Sequence, residues 1–176
     1  MVEENVSSQT PFGFVTTYRG ATEAFEGSIP LHTSGGVTYV SREDVTRNPQ
    51  WIDKYKLVFS KATFEHAGTP DKSGKYRVFS GLRMLKPEEI CTQSYLIGST
   101  FDTEEETQNC ISYFKTKFVR FLIIQLVTSQ DMSADRFHFV PIHDYYEPWT
   151  DEKLYAKYGI TPYEQAYIES LIKPME

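Results

Sequence analysis

The distribution of apolar and polar residues divides the chain into three textures. Over residues 1–36, Pro11, Gly13, Gly20, Gly27, Pro30 and the Gly35-Gly36 pair interrupt the sequence too often for a long element. This segment is predicted to be irregular and to wrap over the rest. From Val37 onward short runs of β-branched and aromatic residues take over, and 37–40, 55–60, 76–80 and 94–98 are strand candidates separated by polar breaks. Alternation along 55–61 puts Lys56, Val58 and Ser60 on one face and Tyr55, Leu57, Phe59 and Lys61 on the other. Residues 65–74, rich in Gly, Pro, Asp and Ser, read as a loop between two of these strands.

The third texture is helical. Residues 102–129 predict one long helix: Asp102 with Glu105, or Thr103 with Glu106, makes a capping box, and Glu104, Glu105 and Glu106 suit the positive end of the helix dipole. Ile111, Phe114, Phe118, Phe121 or Leu122, and Gln125 share one stripe, and from Phe118 apolar residues fill most other faces, which predicts burial on more than one side. Residues 137–141 alternate with period two and read as a further short strand. Two helices close the chain, 151–158 with Gly159 as its stop and then 162–172. The second starts at Thr161-Pro162-Tyr163-Glu164, which supplies an N-cap, a first-position proline and a third-position glutamate. Together these predict an α+β fold, a small twisted and mostly antiparallel sheet with a long buried helix and a C-terminal helical pair. The expected segments are a wrap over 1–36, the sheet and long helix over 37–145, and a helical hairpin over 146–176.

Composition sharpens this. The 176 residues are ample for a hydrophobic core without a metal or disulfide staple. A net charge of -6 with 40% hydrophobic residues excludes a disordered tail, a collagen-like fibre and a uniformly basic nucleic-acid binder. The charge is uneven: residues 1–100 are neutral, and 101–176 carry the whole of the -6. Residues 42–86 hold ten basic side chains against five acidic ones. Cys91 and Cys110 are too few for a disulfide framework, the acidic start has no apolar leader region, and 118–127 is too short to span a bilayer. A reducing cytoplasm is the expected compartment.

Catalytic motifs do not emerge. The sequence has no phosphate-cradling glycine loop, no G-x-S-x-G elbow and no H-E-x-x-H. His138 and His143, near Asp135 and Asp144, lack a third ligand of convincing spacing, so a metal site is the weaker reading. Pro70-Asp71 is followed by no carboxylate-x-Lys strand of the nuclease kind. Cys91 and Cys110 read as buried structural thiols. The basic stretch 42–86, interleaved with Trp51, Tyr55, Phe59, Tyr76 and Phe79, is either a solvated face, the commoner case, or a nucleic-acid site. In the second case Lys72, Lys75, Arg77 and Arg83 matter most, as cations that reach phosphates and base edges. Lys115, Lys117 and Arg120 form a second basic group, either phosphate-binding or the polar stripe of a buried helix.

Several blocks together carry a resemblance: Thr10-Pro-Phe-Gly-Phe14, Tyr55-Lys-Leu-Val-Phe-Ser-Lys61, Cys91-Thr-Gln-Ser-Tyr-Leu-Ile-Gly98, Phe101-Asp-Thr-Glu-Glu-Glu106, Tyr113-Phe-Lys-Thr-Lys-Phe-Val-Arg-Phe-Leu122, and Trp149 to Gly159 with Ile172-Lys-Pro-Met175. From about residue 7 onward the chain resembles the C-terminal target recognition region of bacterial restriction-modification adenine-specific DNA methyltransferases, which is similar to type I specificity subunits. The resemblance implies a DNA-recognition domain with Lys61, Lys72, Lys75, Arg77 and Arg83 as DNA contacts and Ser80 and Gln93 as base readers. It also implies partners, namely double-stranded DNA and a catalytic methylase domain or methylase and restriction subunits. The family's chemistry needs a Pro-Pro motif that binds a flipped adenine, and this sequence has no Pro-Pro pair. S-adenosylmethionine is therefore expected in a separate methylase domain, and no catalytic residue, cofactor or metal in this chain. The alternative is a module that docks on such a partner through its acidic C-terminal part without touching DNA. Under the first reading DNA approaches residues 42–86 and the last fifty residues face away.

Overall fold

The computed structural model describes residues 1–61, 69–126 and 132–175. Two three-stranded sheets organise it. One has β1 (Ser28–Thr33) at its centre, antiparallel to β2 (Gly36–Ser41) and parallel to β5 (Ile90–Cys91). The other places β3 (Tyr55–Ser60) between β4 (Leu82–Leu85) and β6 (Tyr95–Phe101), both antiparallel to it. The α+β class is as the sequence predicts, with the sheet split in two.

Strand β3 is the middle of a sandwich. Leu57 and Phe59 face a helical core with Phe79, Leu96, Phe114, Val119 and Phe137, while Val58 faces the other sheet with Ile29, Leu31, Cys91 and Ile97. Both faces are dry, so the strand shows no apolar-polar alternation. The register slips between Leu57 and Val58, and Gly98 sits opposite the slip. A Cβ at Gly98 would overlap the Phe59 ring, so only glycine lets that ring lie against β6.

The predicted long helix is two helices. Helix α1 (Glu104–Lys115) starts at Thr103, whose side chain accepts from Glu106 N–H, and ends at Thr116. Thr116 has an extended ψ of 148° and serves as the N-cap of α2 (Lys117–Ile124), accepting from Val119 N–H. Asp151 finishes that cap, its carboxylate accepting from Lys117 N–H at 3.0 Å and Phe118 N–H at 2.8 Å. The break lets α2 turn its apolar faces against α3 (Asp151–Tyr158) and α4 (Pro162–Leu171). Both closing helices start where the sequence places them, α4 with its full capping box. Residues 127–129 of the expected helix lie outside the described residues.

Three other expectations change. Residues 28–33 are a strand, so the expected boundary at residue 36 falls inside the β1–β2 hairpin. Residues 137–141 are not a strand. Ala134–Phe137 is a 3₁₀ turn, and Phe137 and Val140 are buried while His138 and Phe139 are exposed, a period of three. Residues 76–80 are also irregular, because Val78 adopts a φ of 76° and Val78 and Phe79 both enter the core in succession. No helix among the described residues is long and apolar enough to cross a membrane.

Candidate nucleic-acid interface

The chain leaves β3 at Lys61 and re-enters the same sheet at β4, so residues 61–81 form an excursion between two paired strands. Its first half, 62–68, lies outside the described residues. The second half opens with a tight turn built on Asp71. One carboxylate oxygen accepts from Ser73 N–H at 2.8 Å, the Ser73 hydroxyl at 2.5 Å and Lys75 N–H at 3.2 Å, while the other accepts from Lys173 Nζ at 3.0 Å. These bonds hold the Asp71 carboxyl well below the usual carboxylate range. Gly74, at a φ of 79°, closes the turn and leaves Lys72 exposed beside it.

After the turn the loop zips onto the C-terminal tail. Tyr76 N–H donates to Leu171 O at 2.8 Å, Lys173 N–H donates to Tyr76 O at 2.9 Å, and Tyr76 pairs with Ile172 in a parallel bridge. Beneath this junction lies Arg120, at 1% exposure. Its Nη1 donates to Lys173 O at 2.7 Å and Arg77 O at 3.3 Å, and its Nε to Lys115 O and Thr116 O at 3.1 and 3.2 Å. Burial lowers the guanidinium pKa to about 10, partly offset by Asp151. Arg120 is thus a structural clamp, not a surface phosphate ligand, and the basic helical group of the sequence dissolves, since Lys117 pairs with Glu169.

Of the seven expected contacts, Lys72, Lys75 and Arg77 share this loop, and their side chains have no ion-pair partner among the described residues. Arg83, Gln93 and Lys61 gather elsewhere. On β4, Leu82 and Met84 pack on the helical core, so Arg83 between them faces the other sheet. There its guanidinium lies 4.7 Å from the Tyr95 ring centroid and its Nη2 3.4 Å from His32 Nδ1. Burial, then Arg83, lowers the His32 pKa, with Glu89 opposing. Lys61 Nζ and Gln93 Nε2 both reach Gln9 Oε1, at 3.5 and 3.4 Å. Ser80 is half-buried between the two groups in sequence and is engaged within the fold. The expected residues therefore form two groups, one in the 72–77 loop paired with the C-terminal tail and one of Arg83, Lys61 and Gln93 around the start of β6.

Much of the remaining positive charge of 42–86 is compensated or hidden. Arg42 pairs with Asp53, Lys54 with Asp102, and Arg47 donates to Thr10 Oγ1 at 2.7 Å. Lys56 is wholly buried on the inter-sheet face, its ammonium donating to the carbonyls of Trp51, Ile52 and Lys54 at 3.1, 3.0 and 2.7 Å. Desolvation brings its pKa down to about 8. The 72–77 loop thus holds three of the segment's cations that form no ion pair among the described residues, alongside Arg47, Lys61, Arg83 and Lys86.

The other candidate groups have partners within the fold or are buried. His138 Nδ1 meets Glu3 at 2.7 Å, whereas His143 Nε2 meets Tyr158 Oη at 2.9 Å, so the two histidines face separate partners. Among the described residues no group of three His, Cys, Asp or Glu side chains is placed to hold a metal. Both cysteines are buried, and burial pushes the Cys91 thiol up to about 12, far from a reactive thiolate. Sequence reasoning missed Gln9, His32, Tyr95 and Lys173. The first three meet the site through tertiary contact alone, and Lys173 is visible only as a cation two residues past a helix end. No protein-family model, curated protein or solved structure matches the chain.

Proposed function

We propose that this chain is a DNA target recognition domain that holds duplex DNA along the outer edge of β4 and leaves methyl transfer to a separate adenine methylase domain carrying S-adenosylmethionine. The observation that carries this reading is the 61–81 excursion: an insertion between paired strands whose Lys72, Lys75 and Arg77 form no ion pair among the described residues, on or just after the turn that Asp71 holds. Loops mounted on a sheet are where recognition residues concentrate, and unpaired cations there match a polyanion. In this reading Lys72, Lys75 and Arg77 take phosphates, while Arg83 and Gln93, near the start of β6, reach base edges with the fork and amide geometry suited to guanine and adenine.

The test is selection of bound fragments from a randomised duplex pool by the isolated chain. A short enriched sequence that Gln93→Ala degrades at one position supports the reading. Retention of no duplex, or methyl transfer by the chain alone, refutes it. The docking alternative is favoured by one observation, the exposed aromatics Tyr146, Tyr163 and Tyr167, with Tyr146 and Tyr163 at 80 and 83% exposure. Under that reading substitution of these tyrosines abolishes partner binding and the pool shows no enrichment.

A further inference from the structure

The parallel bridge between Tyr76 and Ile172 fixes more than the loop's position. In a parallel ladder, paired residues point the same way and their successors point the opposite way. Ile172 is fully buried and Tyr76 packs on the same core, so the next residues in each strand, Arg77 and Lys173, both turn outward. Backbones bridged in this way lie about 4.8 Å apart, and Arg77 and Lys173 are the residues that directly follow the bridge. Their carbonyls are drawn inward by the same Arg120 guanidinium, which fixes the backbone beneath both side chains and adds a third positive charge.

Like charges placed opposite each other in a ladder are destabilising unless something neutral or anionic separates them. Among the described residues the carboxylate that meets this pair is Asp71, which is bound to Lys173 and to three donors of its own turn and forms no ion pair with Arg77. Among the described residues the five guanidinium donors of Arg77 have no acceptor, and Lys173 gives one of three ammonium protons to Asp71. Between them opens a cleft of about 320 Å³ lined by Arg77, Lys173, Pro174 and Met175.

We propose that Arg77 and Lys173 form one phosphate-binding clamp in this cleft, a guanidinium fork for two phosphate oxygens and an ammonium for a third. The occupant is a phosphodiester of bound duplex, which rests on the DNA-recognition reading, and the same chemistry takes a free phosphate. The C-terminal tail is then part of the interface and does not face away from DNA.

Two arms separate the sources. Inorganic phosphate titrated into isotopically labelled protein shifts the Arg77 side-chain and Lys173 amide resonances together, and Arg77→Gln and Lys173→Gln each abolish the shift. With duplex DNA, each single substitution weakens binding severalfold. The double variant makes the slope of log affinity against log salt shallower by about 0.9, the value of one phosphate. Arg77→Lys keeps the charge and restores part of the affinity without restoring the fork. If duplex binds and the variants match the wild type, or if the double variant changes the slope by about 1.8 as two separate contacts do, the clamp is overturned while DNA recognition stands. If duplex does not bind but phosphate shifts both residues, the clamp stands and the DNA reading falls. If neither ligand has any effect, both fall.

Discussion

Replacing Arg120 with methionine is expected to loosen the candidate interface without dismantling the helical core. The side chain is similar in length and apolar, so the volume within the fold is largely kept. What is lost is the set of four donations to carbonyl oxygens, of which the 2.7 Å bond to Lys173 O is the strongest and the 3.3 Å bond to Arg77 O the weakest. Thr116 O keeps its acceptance from Arg120 N–H, whereas the Arg77 and Lys173 carbonyls lose this partner. Leaving buried acceptors unpaired costs about 1–3 kcal/mol each. Removing a desolvated charge returns part of that, so the net destabilisation is about 3 kcal/mol in urea unfolding. The assay with the most resolving power is amide hydrogen exchange. Tyr76 N–H and Lys173 N–H, which cross-link loop and tail, exchange faster in the variant, while β3 and β6 amides keep their order of protection. A variant of unchanged stability, with both amides protected as before, refutes the clamp and with it the claim that the tail positions the loop.

Other perturbations follow from the same structure. Lys56→Met leaves the Trp51, Ile52 and Lys54 carbonyls without the ammonium and costs about 2–4 kcal/mol near neutral pH, measured by denaturant melts. Its pH dependence has a definite sign. With the folded-state pKa at about 8 against an ordinary 10.5, the unfolded chain binds more protons between those values, so wild-type stability relative to Lys56→Met rises with pH across that window, by up to about 3 kcal/mol. A flat difference between the two proteins from pH 8 to 10 contradicts the buried placement. Asp151→Ala uncaps α2 and lowers stability by about 1–2 kcal/mol, visible as a loss of helical circular dichroism on heating. Glu88→Gly relieves an exposed residue at a φ of 69° and raises the melting midpoint, by about 0.5–1 kcal/mol of stability.

The sequence makes the closing helices legible because their signals are local: Thr161, Pro162 and Glu164 cap α4 within one turn, and Gly159 ends α3 at a φ of 62°. The break at Thr116 is not legible, since two of the three side-chain acceptances that cap α2 come from Asp151, far along the chain. Strand 55–60 is recognisable from β-branched and aromatic content, but its two buried faces hide which residues meet which core. Among basic residues, sequence shows abundance and not availability. Lys56 and Arg120 disappear into the interior and Arg42 and Lys54 into ion pairs, while Lys72, Lys75 and Arg77 stay at the surface. Lys173 joins them only because the tail pairs with the loop, a long-range contact that no spacing announces.

A salt titration of duplex binding with Lys72, Lys75 and Arg77 changed together to glutamine tests DNA recognition by this loop most directly. Loss of the Lys72 and Lys75 phosphate contacts makes the slope of log affinity against log salt shallower by about 1.8, and loss of Arg77 weakens the clamp phosphate that Lys173 still holds. Affinity near physiological salt falls with it, and the melting curve changes little because the three side chains form no ion pair among the described residues. A triple variant that binds duplex with wild-type affinity and wild-type salt dependence contradicts the central claim and moves any DNA contact to another face of the molecule.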